Sequence, residues 1–157
     1  MERKKIFKKL LFYCFIFLAF TFSIKVDAAT LQINSNSSTV SAGDSVILYV
    51  NVNSEGISIN NAGATIKFPN DLFDIVSVSK SGSIFSLWVE EPSFSNSAGT
   101  ITFDGGLPTP GFNGVFGSVI SITAKAKKAG QAEFTFSDAA VRANDGLGTD
   151  VLNSQQG

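Results

Sequence analysis

The sequence contains few of the side chains that carry out nucleophilic catalysis or bind transition metals. It has no histidine, a single cysteine (Cys14) and a single methionine, the initiator. Because Cys14 falls in the N-terminal leader described next, the rest of the chain has neither thiol nor imidazole. This excludes Ser–His–Asp and Cys–His catalysis, zinc sites built on Cys or His, and a disulfide framework.

The first 28 residues have the composition of a secretory signal peptide. Basic residues precede an apolar run from Leu10 to Ile24, and Val26-Asp27-Ala28 supplies the small residues of a cleavage site. We predict cleavage after Ala28. A retained membrane anchor is the alternative, although the apolar run is shorter than the ~20 residues that span a bilayer.

The chain that follows the leader is acidic. Removing the leader's six basic and two acidic residues from the totals of 12 and 13 leaves six basic and eleven acidic residues, a net charge of about −5. The remaining Lys and Arg residues form no stripe. Because nucleic-acid binding needs clustered cations to displace phosphate counterions, we expect no nucleic-acid partner.

Alternation of apolar and polar residues predicts β-strands along the whole of this chain. The two clearest predicted strands cover 46–53 and 62–68. In the first of them, Val46, Leu48, Val50 and Val52 occupy every second position. Turn-forming Gly, Asn and Asp residues separate the strands, and no segment carries a helical apolar stripe. Further candidates are 31–34, 73–79, 84–90, 100–104, 119–126, 132–137, 140–142 and 150–152.

Eight to ten short strands at this spacing predict an all-β antiparallel sandwich or barrel. In a sandwich, Phe68, Phe73, Phe103, Phe134 and Phe136 would fill the space between the two sheets. Each fully buried apolar side chain contributes roughly 1.5 to 3 kcal/mol to stability. A core of this kind can therefore stabilise the domain without disulfides.

Four segments of the chain are distinctive in their order: GDSVILYVNVNS, NAGATIKFPNDLFDIVSVSKSG, GTITFDGG and GSVISITAKAKKAGQAEFTFSDAAVRANDGLGTDVL. The same order is found in bacterial cohesin domains of cellulosome scaffolds. Through them the chain resembles a cohesin domain from about Thr30 to Leu152. The resemblance implies a jelly-roll sandwich of about nine strands, a fold shared with some carbohydrate-binding modules. It also implies a flat face that binds dockerins, small calcium-loaded helical modules of polysaccharide-degrading enzymes.

The alternation predicts which side chains such a face would present. If Ile66, Phe68, Phe85, Leu87, Ile101, Phe103, Ile120 and Ile122 point inward, their neighbours form a mixed polar surface around one aromatic ring. Such a surface suits a non-obligate protein interface. The predicted partner-binding residues are Thr65, Lys67, Trp88, Glu90, Thr102, Asp104, Thr123 and Lys125.

Trp88, the only tryptophan, would have a different role in each functional hypothesis. An exposed indole ring can stack on a sugar or anchor a protein partner. The alternative is that Trp88 packs at the edge of the sandwich. A carbohydrate-binding module usually presents several aromatic rings, and this chain offers one tryptophan.

The sequence predicts no catalytic residue, no metal site and no cofactor. Glu90 and Glu91 are adjacent on a strand and would point to opposite faces, so they cannot act as a facing pair of carboxylates. Asn144, Asp145 and Asp150 offer oxygen ligands, but their spacing does not match an EF-hand loop. We interpret them as a hairpin turn, and calcium is then expected only on the partner.

The predicted organisation is a signal peptide (1–28), a cohesin-like domain (29–153) and a polar tail or linker start (154–157). We expect a secreted or cell-surface binding module that acts in extracellular polysaccharide degradation and does not contact the membrane after signal cleavage. Its expected partner is a dockerin-like module or a polysaccharide. The alternatives are a carbohydrate-binding module that contacts glycans directly and a structural adhesion domain.

Overall fold

Nine strands and no helix make up residues 28–37 and 39–157, the part of the chain that the computed structural model describes. The predicted signal peptide lies outside this part, apart from Ala28. No helix in the described residues is long and apolar enough to cross a membrane. The strands are β1 (Ala29–Ser35), β2 (Ser45–Asn53), β3 (Ile59–Lys67), β4 (Phe73–Ser79), β5 (Leu87–Ser95), β6 (Thr100–Gly106), β7 (Gly117–Ala126), β8 (Thr135–Ala143) and β9 (Leu152–Gln156).

The strands form two sheets that pack as a β-sandwich, as predicted. One sheet has five strands in the order β4-β7-β2-β1-β9, and the other has four in the order β5-β6-β3-β8. All pairs are antiparallel except β1 and β9, which run parallel. Consecutive strands therefore alternate between the sheets at several points, and residues close in sequence can lie on opposite sides of the molecule.

The space between the sheets is filled by the alternating apolar residues. Val46, Leu48, Val50 and Val52 of β2 are buried, as the period-two pattern predicts. Burial of these side chains and of the core phenylalanines removes apolar area from water, which is the main stabilising contribution to a domain without disulfides.

The phenylalanines meet at one end of this core. The ring of Phe134 stacks on Phe68 with centroids 5.9 Å apart and meets Phe73 edge-on at 5.7 Å. Phe103 is buried in the four-stranded sheet, while Phe136 is only partly buried. The predicted role of these five residues as the filling between the sheets is confirmed.

Three strand predictions need correction. Strand β5 begins at Leu87 and continues to Ser95, so Phe85 is buried from the preceding loop. The segments predicted at 132–137 and 140–142 join in one strand, β8, which begins only at Thr135 and continues through a bulge at Asp138 (φ 51°). Residues 154–156, predicted as part of a polar tail, belong to β9 because they pair with β1 through Thr30, Leu31 and Gln32.

Candidate partner-binding face

The outward side chains of β5, β6, β3 and β8 form a flat surface, here called the four-stranded face. In β3, Ala62, Ala64 and Ile66 point into the core, so the residues between them point outward. Strand register then aligns Gly63 with Asp104 and Thr65 with Thr102 across the sheet. Five of the predicted partner-binding residues lie on this face: Thr65, Lys67, Glu90, Thr102 and Asp104.

Thr123 and Lys125 do not belong to this surface. They lie on β7, which is in the five-stranded sheet, and they point away from the core on the opposite side of the sandwich. The prediction that all eight residues share one face is wrong for these two. Alternation correctly identified them as outward, but it carries no information on which sheet a strand joins.

Trp88 is turned toward the inside of the sandwich. It pairs with Gly105, and its ring meets buried Phe85 edge-on with centroids 6.2 Å apart. The prediction of an outward Trp88 is therefore wrong, and the alternative of packing at the sandwich edge is confirmed. Lys80 Nζ lies 5.7 Å from the ring centroid and also forms an ion pair with Glu91 at 2.6 Å.

A β-bulge explains why the pattern failed on this strand. Trp88 pairs with Gly105 and Glu90 with Asp104, which leaves Val89 as one extra residue. An extra residue shifts the alternation by one position. Side chains on one side of the bulge therefore point to the opposite face from the one that an unbroken pattern would give them. Leu87, predicted to be inward, is accordingly 58% exposed on the four-stranded face.

Hydrogen bonds hold several side chains of the four-stranded face in place. The Asn61 amide donates to the Asp104 carboxylate and, at 3.0 Å, to the carbonyl of Gly105. The hydroxyls of Ser93 and Thr102 are 3.0 Å apart across β5 and β6. Polar groups that are already fixed lose less conformational entropy when a partner binds.

A shallow depression of about 170 Å³ lies at the centre of this face. Gly63 leaves room for it, since a Cβ atom at this position would lie 3.0 Å from Cγ of Asp104. Glu90, Asp138 and Arg142 also line the depression. The face therefore carries charges of both signs around a recess.

Sequence reasoning missed several residues of this face, among them Leu87 and Ser93 of β5. Asn61 and Gly63 have the same alternation as Thr65 on β3, so extending the pattern toward the N-terminus would have found them. Asp138 and Arg142 were hidden by the bulge in β8, where Asp138 has positive φ and interrupts the period of two.

The predicted turn at Asn144, Asp145 and Asp150 is confirmed. Asp145 accepts hydrogen bonds from the amide of Leu147 at 2.8 Å and from the hydroxyl of Thr149, and these bonds lower the pKa of its carboxyl. Asp150 accepts from two backbone amides, and Asn144 accepts from Thr109. Within the described chain, no three acidic residues are grouped so as to hold a metal ion.

A cavity of about 580 Å³ lies away from this face. It opens at one end of the sandwich between Val40 and the segment 130–134. Its lining includes the core side chains of Val46, Leu48 and Phe73, with Glu133 as its charged group. This cavity is an opening onto the apolar core and brings together no reactive groups.

Comparison with solved structures identifies the arrangement of the strands. A type I cohesin, solved in complex with a dockerin from Clostridium thermocellum, superposes with a TM-score of 0.66 at 12% identity, over 83% of this chain and 89% of the cohesin. The fold is that of a cohesin domain. No protein-family model matches the sequence, and no curated protein matches it.

Other cohesins superpose to a similar extent. A type II cohesin from the cellulosome of Acetivibrio cellulolyticus has a TM-score of 0.64 at 14% identity, covering 81% of this chain and 91% of its own. A non-cellulosomal cohesin from the archaeon Archaeoglobus fulgidus has a TM-score of 0.63 at 14% identity, covering 82% and 86%. The predicted cohesin-like sandwich is confirmed at the level of the fold.

Proposed function

We propose that this chain is a secreted, non-catalytic protein-binding module that holds a dockerin-like partner through the four-stranded face. The observation that carries the proposal is the cohesin fold, since solved structures with this fold include complexes with dockerins from Clostridium thermocellum and Acetivibrio cellulolyticus. The proposed setting is extracellular polysaccharide degradation. The partner, rather than this chain, would carry the calcium.

The properties of the four-stranded face support a protein partner. Leu87 is an exposed apolar side chain at its margin, and Glu90, Asp104, Lys67 and Arg142 supply charges of both signs. Protein interfaces that form and dissociate typically combine a few apolar or charged anchors with a polar rim. The fixed side chains of Asn61 and Asp104 would meet such a partner with little rearrangement.

Direct binding of glycans through Trp88 is not supported by its position. A ring that stacks on a sugar must present its face to solvent. Trp88 is instead partly buried against Phe85 and Gly105. The glycan-binding alternative therefore requires another part of the surface.

The test is retention of calcium-loaded dockerins on the immobilised full-length chain, with and without EDTA. The two dockerins of the solved complexes from Clostridium thermocellum and Acetivibrio cellulolyticus serve as first probes. We expect saturable retention that EDTA abolishes. No retention across a broader dockerin panel would favour a structural adhesion domain instead.

Charge reversal locates the interface. Lys67→Glu alters the four-stranded face, and Lys125→Glu makes the same change on the opposite side of the sandwich. Charge changes in an interface alter association and affinity, so we expect Lys67→Glu to weaken binding about threefold or more. Lys125→Glu should leave binding unchanged, and equal effects of the two variants would contradict the assignment of the face.

A further inference from the structure

The outward side chains of the five-stranded sheet form a second flat surface, here called the five-stranded face. At its centre is Tyr49, whose side chain is 41% exposed. The strand register places Ser121 on one side of Tyr49 and Asn34 on the other, with Ser79 beyond Ser121. These four side chains form a row across β4, β7, β2 and β1 that is roughly 14 Å long, three interstrand spacings of about 4.8 Å.

Most polar groups of this row and its neighbours are available to a ligand, the exception being the Ser79 hydroxyl, which accepts the amide of Ser81 at 3.2 Å. Among the described residues, the side chains of Gln32, Asn34, Tyr49, Ser121 and Thr123 make no hydrogen bond to another part of the chain. Side-chain bonds occur at the margins of the face, as between Thr30 and Ser154 at 3.2 Å. The centre of the five-stranded face therefore differs from the four-stranded face, where Asn61, Asp104, Ser93 and Thr102 bond to one another.

Tyr49 has a buried polar neighbour on the same side of its own strand. Asn51 lies two residues along β2 and is 4% exposed, with its amide directed at the carbonyl of Tyr49 at 3.5 Å. Ser121 and Asn34, which flank Tyr49, have short side chains that leave its ring accessible. The ring is thus an exposed aromatic group on a rigid strand and not on a loop.

The five-stranded face is almost free of charge. Its outward charged residues are Asp74 and Lys125, which have opposite signs and are paired in register at one end. The rest of the face consists of hydroxyl and amide groups around Tyr49 and of two apolar side chains, the partly buried Ile47 of β2 and Val76 of β4, which is 56% exposed. A highly charged ligand would find no complementary charge here, whereas an uncharged polar ligand needs none.

We infer that the five-stranded face binds a neutral polysaccharide, with Tyr49 stacked on the apolar side of a sugar ring. The amides of Gln32 and Asn34 and the hydroxyls of Ser121 and Thr123 donate to and accept from the sugar hydroxyls. An aromatic ring beside groups that both donate and accept suits a ligand that is apolar on one side and rich in hydroxyls at its edge. The surface lies on the opposite side of the sandwich from the proposed dockerin-binding face.

The test is co-sedimentation of the full-length chain, kept soluble in a mild detergent, with amorphous cellulose and with mannan. Polygalacturonate and chitosan serve as charged comparison polymers. We expect the chain to sediment with at least one neutral polymer. Tyr49→Ala should lower the partition coefficient about tenfold, as truncation of a central aromatic anchor does in other interfaces, and Tyr49→Phe should restore most of it because the ring is kept.

Two controls separate this site from a general effect of exposed aromatics or charge. Phe116→Ala removes a ring that is 69% exposed in the loop before β7 and should leave sedimentation unchanged. Lys67→Glu alters the opposite face and should also have no effect. Equal sedimentation of wild type and Tyr49→Ala, binding only to the charged polymers, or self-association of the chain that Tyr49→Ala abolishes would overturn the inference.

Discussion

Gly105 controls how closely the rings of Phe85 and Trp88 pack at the edge of the sandwich. A Cβ atom at Gly105 would lie 2.8 Å from Cδ2 of Phe85 and 2.9 Å from Cζ3 of Trp88. Both distances are shorter than carbon atoms normally approach. The edge-on contact of the two rings therefore depends on the absence of a side chain at this residue.

We predict that Gly105→Ala destabilises the domain by about 1 to 3 kcal/mol, the usual cost of overpacking a filled core. The added methyl group must displace one of two rings that are already in contact. Urea unfolding followed by tryptophan fluorescence measures the change in stability. Because Trp88 is the only tryptophan, a red shift of the folded-state emission would report its displacement toward water.

Gly130→Ala is the matched control. The nearest side-chain atoms to a Cβ at Gly130 are those of Leu72 at 3.9 Å, which is ordinary van der Waals contact. We expect a change in stability within about 0.5 kcal/mol, as for most exposed substitutions. If both variants unfolded at the same urea concentration as wild type, close packing at Gly105 would be refuted.

At the scale of single elements, the carboxylate of Asp145 helps to hold the turn between β8 and β9. Asp145 accepts the amide of Leu147 and the hydroxyl of Thr149, and Arg142 donates to the carbonyl of Gly148 at 3.1 Å. The hydrogen bond from Thr149, followed by that from Leu147, lowers the pKa of Asp145 below its ordinary value of 3.8. Ionised Asp145 is thus favoured in the folded chain.

This turn should be sensitive to acid. Because the folded pKa of Asp145 is lower than the unfolded value of 3.8, its contribution to stability is present above pH 3.8 and is lost as the pH falls through the folded pKa. We predict that Asp145→Ala has a lower melting temperature than wild type at pH 7, and that the difference shrinks below pH 3.8. Thermal unfolding followed by circular dichroism at a series of pH values measures this.

Glu133→Ala provides the comparison for Asp145→Ala. Glu133 is an exposed acidic residue that makes no side-chain hydrogen bond or ion pair within the described chain. Its removal should change the melting temperature little at any pH. A difference between wild type and Asp145→Ala that stayed constant down to pH 2 would contradict the role assigned to this carboxylate.

The sequence predicted where several strands run but not where bulges occur. Strand β4 was predicted at 73–79 and has those bounds, although its register shifts between Ile75 and Ser77. Strand β2 follows the pattern of Val46 to Val52 throughout, and its bounds differ from the prediction by one residue. In β5 and β8, one extra residue near Val89 and one near Asp138 shift the register. A bulge is stabilised by the neighbouring strand, so its position is set by contacts distant in sequence.

At the scale of the whole molecule, the sequence predicted a sandwich but not the composition of its two faces. Lys67 and Lys125 carry the same charge and both occupy outward positions of an alternating strand, yet they lie on opposite sides of the sandwich. Which sheet a strand joins depends on pairing between residues that are distant in sequence, such as that of β2 with β7. For this reason the sequence identified five residues of the four-stranded face correctly and placed Thr123 and Lys125 with them wrongly.

The two faces are held on one core, which makes the domain sensitive to single core substitutions. Phe103 is 1% exposed, and we predict that Phe103→Ala costs about 3 to 5 kcal/mol, a large part of the roughly 5 to 15 kcal/mol that stabilises a typical domain. Phe116→Ala makes the same change at a ring that is 69% exposed. In urea unfolding, Phe103→Ala should have a much lower midpoint concentration than Phe116→Ala. Similar midpoints would refute the buried position of Phe103.

The parallel pairing of β1 with β9 has a mechanical consequence. Ala29 pairs with Leu152 and Gln32 with Gln156, so Ala29 and Gln156 lie at opposite ends of the pair. A force that pulls these two residues apart acts along both strands and slides one against the other. The hydrogen bonds between β1 and β9 then share the load and must break together, whereas a peeling force would break them one at a time. The sandwich is thus arranged to resist tension along its length.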